Sequence, residues 1–91
     1  MVYQILFSQR AKKDLLGFPQ KQRIRIELAL KQFAEKPDLR HDVVKIKDSP
    51  RKNPRYRLRI GKYQATFFMH HDILIIEIIT IRKKKNFDYT G

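Results

Sequence analysis

The sequence predicts an α+β fold of the order β-α-α-β-β-β, in which an antiparallel sheet packs on a layer of two helices. Apolar residues alternate with polar ones near the N-terminus, recur at helical spacing in the following segment, and alternate again in the last half of the chain. The chain has 91 residues, enough for one modest hydrophobic core and too few for two. We therefore expect a single domain over residues 1–91.

The N-terminal half predicts one strand and two helices. Residues 2–7 alternate between apolar and polar side chains, as a half-buried strand does. Ser8 is a favourable N-cap for a short helix, which Gly17 and the proline that soon follows bring to an end. Residues 20–36 carry apolar side chains at helical spacing and are followed by Pro37, so we expect a longer helix there.

The C-terminal half predicts an antiparallel meander of three or four strands. The expected strands cover residues 56–60, 63–69 and 73–81, with residues 43–46 as a candidate short strand before them. Gly61 and Lys62 form the first two-residue turn, and His71 and Asp72 form the second. The last strand is apolar on nearly both faces, so we expect it to lie centrally in the sheet.

The two turns predict which polar side chains are neighbours, because a two-residue turn fixes the register of its strands. The first turn places Arg59 opposite Gln64 and Arg57 opposite Thr66, and the second places Thr66 opposite Glu77. These residues then share the sheet face that the helices leave uncovered. The two arginines suit a phosphate group, since a guanidinium presents paired donors. The alternative is an ordinary surface pair between Arg57 and Glu77.

The charge of the chain points to a polyanionic partner. Lys and Arg number 21 against nine Asp and Glu, which leaves a formal net charge of +12. Charge alone allows nucleic acid, an anionic membrane surface or an acidic protein, and nucleic acid is the favoured partner. The basic run at residues 82–85 directly follows the last strand and is expected to extend the cationic sheet face.

The residue types present exclude several kinds of site. The chain has no cysteine, so a disulfide framework and a thiolate zinc site are both impossible. His70 and His71 are adjacent and point to opposite faces without a third ligand, so we expect no metal and no cofactor. The N-terminus lacks the pattern of a signal peptide, and residues 73–81 are too few to span a bilayer. We expect a cytoplasmic protein without a membrane partner.

The order of elements, the segment YRLRIGKY at residues 56–63 and the basic triplet at residues 82–84 together resemble the RelE/ParE superfamily. The chain is most similar to the archaeal RelE-type toxins, from AKKDL at residues 11–15 to FDY at residues 87–89. The resemblance implies the toxin of a type II toxin–antitoxin system: a ribosome-dependent endonuclease that cleaves mRNA in the decoding site. It implies metal-independent cleavage through the 2′-hydroxyl of the RNA, and a cognate acidic antitoxin of the RelB type.

The resemblance also implies catalytic roles for individual residues. Arg57 and Arg59 match the two strand cations of the family and would hold the phosphate. Lys83 and Lys84 match the basic residues after the last strand, and would stabilise charge or donate a proton. Glu77 is a candidate base on separate grounds, because a carboxylate held between cations stays ionised beside a scissile phosphate.

The remaining expected RNA contacts are Lys62, Gln64, Arg82, Lys85, Phe87 and Tyr89. Gln64 stands where the family has an arginine, and the late tyrosine of the family falls on Phe87 or, with a two-residue shift, on Tyr89. A late aromatic ring beside cations can stack a base. Because Gln64 and Phe87 depart from the pattern of the family, a second hypothesis is a catalytically impaired RNA- or ribosome-binding member of the same fold. A third, a ParE-like protein that acts on gyrase, is disfavoured by the dense basic surface.

Overall fold

The computed structural model of the protein describes residues 2–37, 41–47 and 49–83. The elements in chain order are strand β1 (Gln4–Phe7), helices α1 (Gln9–Leu16) and α2 (Gln20–Glu35), and strands β2 (Val43–Lys45), β3 (Arg55–Ile60), β4 (Tyr63–His70) and β5 (Ile75–Lys83). The predicted α+β class is confirmed, because these ranges form two helices and one five-stranded sheet. The candidate strand at residues 43–46 is present as β2.

The sheet is mixed, which corrects the expectation of a purely antiparallel one. Its strand order is β1-β5-β4-β3-β2, and β1 runs parallel to β5 while the other neighbouring strands are antiparallel. Both helices lie between β1 and the meander in the sequence, and a parallel pair needs a long connection of this kind. β5 has a neighbour on each side, as its apolar composition predicted.

Helix α1 completes the edge of the sheet where β1 ends. The pairing of β1 with β5 stops at Phe7 and Ile78. Beyond it, the Ser8 hydroxyl donates to the carbonyl of Ile79 at 2.7 Å and accepts from the amide of Ala11 at 3.0 Å, so the predicted N-cap is confirmed. The Asp14 carboxylate accepts from the amide of Ile81 at 3.0 Å. These side chains satisfy strand groups that would otherwise lack a partner.

The core lies between the two helices and one face of the sheet. The residues with the largest fully buried side chains are Ile26, Leu30, Phe67, Ile76, Ile78 and Ile81. From α2, Phe33 reaches the sheet with its ring centroid 5.3 Å from that of Phe67. The opposite face of the sheet has no helix against it within the described ranges. Neither described helix is long and apolar enough to cross a membrane.

The first hairpin has the predicted register. Ile60 pairs with Tyr63, Arg59 with Gln64 and Arg57 with Thr66. Gly61 has a φ of 59° at the first position of the two-residue turn, the conformation that a glycine supplies without steric cost.

The second turn differs from the prediction in length and in register. It comprises residues 71–74, so His70 pairs with Ile75 and the two-residue turn at His71 and Asp72 is wrong. A bulge between Thr66 and Phe67 then shifts the pairing, and Thr66 lies opposite Thr80. Bulges insert one residue without a consistent sequence signature, and every side chain beyond the insertion changes its neighbours.

Candidate nucleic-acid interface

A row of three arginines follows β3 on the face of the sheet that the helices leave open. Leu58 and Ile60 of this strand point into the core and are only 4% and 6% exposed. Arg55, Arg57 and Arg59 alternate with them and therefore project to the other side. Alternate residues of a strand are about 6.7 Å apart, so the row presents guanidinium groups at regular intervals.

The neighbouring strands extend this open face. Gln64 on β4 lies between Arg59 on β3 and Arg82 on β5, since it pairs with both. One step along the strands, Thr66 lies between Arg57 and Thr80. The structure thus brings Arg57, Arg59, Gln64 and Arg82 together, which we call the arginine face.

A cavity of about 130 Å³ opens on the arginine face. It is lined by Asp42, Val44, Arg57, Arg59 and Gln64. Guanidinium groups and a side-chain amide are donors that suit a phosphate, and two arginines can grip one phosphate from two directions. The cavity is therefore suited to one phosphate group, with the rest of a nucleotide outside it.

Asp42 is a residue of this cavity that the sequence did not reveal. The amide of Arg59 donates to the carbonyl of Asp42 at 2.9 Å, which extends the pairing of β2 with β3 by one residue. The exposed Asp42 carboxylate lies at the cavity without an ion pair inside 4.0 Å among the described residues. In the sequence, Asp42 is marked only as a polar residue before the apolar Val43. That pattern does not predict which strand β2 pairs with, and so it does not place Asp42 beside Arg59.

Glu77 does not lie where it was expected. It pairs with Phe68, and its carboxylate oxygen is 3.0 Å from Nε2 of His70. The turn at residues 71–74 is two residues longer than predicted, so Glu77 pairs two positions further along β4 and away from Arg57. The expected position of Glu77 beside the phosphate is therefore wrong, and so is the alternative of a pair between Arg57 and Glu77.

Lys62 and Lys83 lie around a second cleft, which is on the helix side of the sheet. Lys83 pairs with Tyr63, whose ring is buried under the helices. A cleft of about 450 Å³ is lined by Gln22, Arg25, Gly61, Lys62, Tyr63 and Lys83. The basic run is thus divided, with Arg82 on the arginine face and Lys83 on the opposite side of the sheet. Lys83 was expected beside Arg57 and Arg59, and the alternation of β5 places it elsewhere.

Four predicted site residues lie outside the described ranges: Lys84, Lys85, Phe87 and Tyr89. Within those ranges, no group of three or more His, Asp or Glu side chains is arranged to hold a metal ion. The guanidinium groups of Arg57 and Arg59 and the amide of Gln64 offer hydrogen bonds and positive charge to an anion.

Comparison with solved structures identifies the fold. A chain from the archaeal RelE–RelB complex of Pyrococcus horikoshii OT3 matches with a TM-score of 0.77 and 20% identity, over 94% of this chain and 99% of that one. A chain from the RelB–RelE antitoxin–toxin complex of Methanococcus jannaschii matches with a TM-score of 0.66 and 27% identity, over 94% and 99%. The isolated E. coli RelE toxin matches with a TM-score of 0.65 and 17% identity, over 93% and 87%.

The fold is therefore of the RelE type, as the resemblance predicted. No protein-family model matches the sequence, and no curated protein matches it significantly. At these identities the shared property is the path of the chain.

Proposed function

We propose that this chain is the toxin of a type II toxin–antitoxin pair and an endoribonuclease that cuts mRNA in the ribosomal decoding site. One observation carries the proposal: Arg57 and Arg59 flank a phosphate-sized cavity on the open face of a RelE-type fold. The solved structures with this fold include RelE toxins and complexes of RelE with RelB.

The reaction is a transfer within the RNA that needs no metal ion. The 2′-oxygen attacks the adjacent phosphorus, a P–O2′ bond forms, and the bond to the 5′-oxygen breaks. Negative charge accumulates on the phosphate oxygens in the transition state, where Arg57 and Arg59 stabilise it with fixed donors. One proton leaves the 2′-hydroxyl and one reaches the departing 5′-oxygen. An arginine stays protonated in a protein and so can neither accept nor readily release these protons. Other groups must move them.

The proposed partner in the cell is an acidic antitoxin. The net charge of +12 makes an acidic, flexible chain that folds on binding a well-matched partner. By covering the arginine face, such a chain would compete directly with RNA. The proposed site of action, the ribosome, places both proteins in the cytoplasm.

A second candidate function is binding to RNA or the ribosome without cleavage. Two observations favour it. The cavity presents the neutral amide of Gln64 where the resembling family has an arginine, and Lys83 lies on the helix side of the sheet. Both features remove positive charge from the place where the transition state needs it.

Primer extension on mRNA in a translating extract tests the proposal. Wild-type protein should produce new 5′ ends only when ribosomes are present, and Arg57→Ala should reduce them about 100-fold, as loss of a transition-state donor does. Arg23→Ala on α2 removes the same charge from the helix side and should cleave like wild type. Arrested translation with intact message would favour the binding function, and equal cleavage by Arg57→Ala would contradict the assigned role of the arginine face.

A further inference from the structure

A second pocket opens on the same sheet face, beside the arginine face and at the far end of β3 from the Gly61 turn. It has a volume of about 320 Å³ and is lined by Pro50, Asn53, Arg55 and Phe68. Arg55 and Phe68 are a cross-strand pair, and both side chains are half-buried. We call it the Phe68 pocket.

The lining of the Phe68 pocket has the chemistry of a nucleobase site. An aromatic ring offers a flat apolar face for stacking, and a guanidinium plane can stack on a base as well. The amide of Asn53 is both donor and acceptor, so it can pair with the edge of a base. A pocket for a phosphate alone would have little use for Phe68 and Pro50.

Arg55 carries an unusual feature that a ligand would relieve. Its Nε atom is buried and has no hydrogen-bond partner among the described residues. A buried donor without an acceptor is unfavourable, and native structures contain few of them. A small rotation of the guanidinium toward a carbonyl oxygen or ring nitrogen in the pocket would supply the missing acceptor.

The position of the pocket relative to Arg57 indicates which part of an RNA strand it would bind. Arg55 and Arg57 are alternate residues of β3, so Arg55 of the pocket is about 6.7 Å along the strand from Arg57, the nearer arginine of the phosphate grip. This separation is of the size of one nucleotide. We propose that the Phe68 pocket binds a nucleobase of the RNA strand, next to the phosphate that Arg57 and Arg59 hold. The inference rests on the proposed binding of RNA by the arginine face.

An abasic scan tests the pocket. The probe is a fluorescent 2′-O-methyl RNA pentamer, which cannot react through its 2′-oxygens, together with five versions that each lack one base. Binding is measured by fluorescence anisotropy. For wild-type protein, loss of the base at one position should weaken binding about tenfold, and losses elsewhere should matter less.

Two variants show whether Phe68 is responsible. Phe68→Leu keeps an apolar side chain without the aromatic ring, and it should abolish the difference between the intact and the sensitive abasic pentamer. Phe7→Leu makes the same change in a half-buried strand residue packed against the core, and it should keep the difference. Circular dichroism of both variants shows that they are folded.

The outcomes separate this inference from the proposed function. A flat scan, or a sensitivity that survives Phe68→Leu, would overturn the Phe68 pocket. If Arg57→Ala still weakened all six pentamers in that case, the arginine face would stand without the pocket. If the pentamers bound equally to wild type and Arg57→Ala, or did not bind at low salt, both assignments would fall.

Discussion

Gly61 determines where the two guanidinium groups of the phosphate grip lie, because its turn sets the register of β3 and β4. The residue has a φ of 59°, a conformation that other L-residues adopt only at a cost. A Cβ placed on it would lie 3.0 Å from Nη2 and 3.2 Å from Cζ of Arg25. A side chain at this position is therefore unfavourable mainly because of the backbone conformation, and Arg25 would also have to shift.

Gly61→Ala should lower the free energy of unfolding by about 1–2 kcal/mol. The loss comes from the left-handed conformation, with a smaller contribution from Arg25, whose flexible end can move. Urea unfolding measures the change. Gly17→Ala is the matched control, because Gly17 has a φ of −78° and a Cβ there meets nothing closer than 3.4 Å. A loss at Gly61 no larger than that at Gly17 would contradict the assigned turn.

Asp42→Asn should strengthen RNA binding about threefold at low salt, because the variant removes a carboxylate that repels the phosphate beside Arg57 and Arg59. Fluorescence anisotropy with the 2′-O-methyl pentamer measures the affinity. Asp72→Asn removes the same charge from the turn between β4 and β5, at the end of β4 remote from Gln64, and should have a smaller effect. Unchanged or weaker binding by Asp42→Asn would contradict its place in the cavity.

Individual residues differed in how far the sequence could place them. The positions of Arg57, Arg59 and Gln64 were predictable because the Gly61 turn, only a few residues away, fixes the register of their strands. A bulge has little room to occur over so short a distance. Asp42 was not, since its position depends on pairing across a long loop. The position of Glu77 was predicted wrongly because its register was derived from a two-residue turn that the chain does not make.

At the scale of elements, α1 and β5 depend on each other. Ser8 caps the helix and donates to the carbonyl of Ile79, and Asp14 accepts from the amide of Ile81. Ile79 is the extra residue of the bulge and Ile81 precedes Arg82, so the short helix supports the strand that completes the arginine face.

Ser8→Ala should lower the free energy of unfolding by about 1–2 kcal/mol, because it removes the N-cap and leaves the Ile79 carbonyl without its donor. Urea unfolding is again the measurement. Gln9→Ala, at the exposed first residue of the same helix, should change stability by much less. If the two substitutions were equally mild, the link between α1 and the edge of β5 would be wrong.

The elements themselves were largely predictable, and their arrangement was less so. Both helices and the first hairpin follow from periodicity and from Ser8, Pro37 and Gly61, which act within a few residues of their own position. The parallel pairing of β1 with β5 joins the two ends of the described chain, and no local pattern specifies it. The bulge in β5 is a second feature that no local pattern specifies.

At the scale of the whole molecule, the chain has a formal net charge of +12, and its described residues place cations on two sides of the sheet. Arg57, Arg59 and Arg82 lie on the open side, whereas Arg25 and Lys83 lie around the helix-side cleft. Either side could attract RNA by charge alone. To show that the arginine face binds the phosphates, two variants must lose the same number of charges and differ only in the side of the sheet from which the charges are removed.

The salt dependence of RNA binding by two double variants makes that test. Arg57→Ala/Arg59→Ala and Arg23→Ala/Arg25→Ala each remove two positive charges, the first pair from the arginine face and the second from the helix side. Each phosphate contact on a single strand contributes about 0.7 to the slope of log affinity against log salt. The arginine-face variant should therefore lose about 1.4 of the slope, and the helix-side variant should keep the wild-type value. Equal losses in both variants, or the larger loss in the helix-side variant, would contradict the claim that the arginine face is the RNA-binding surface.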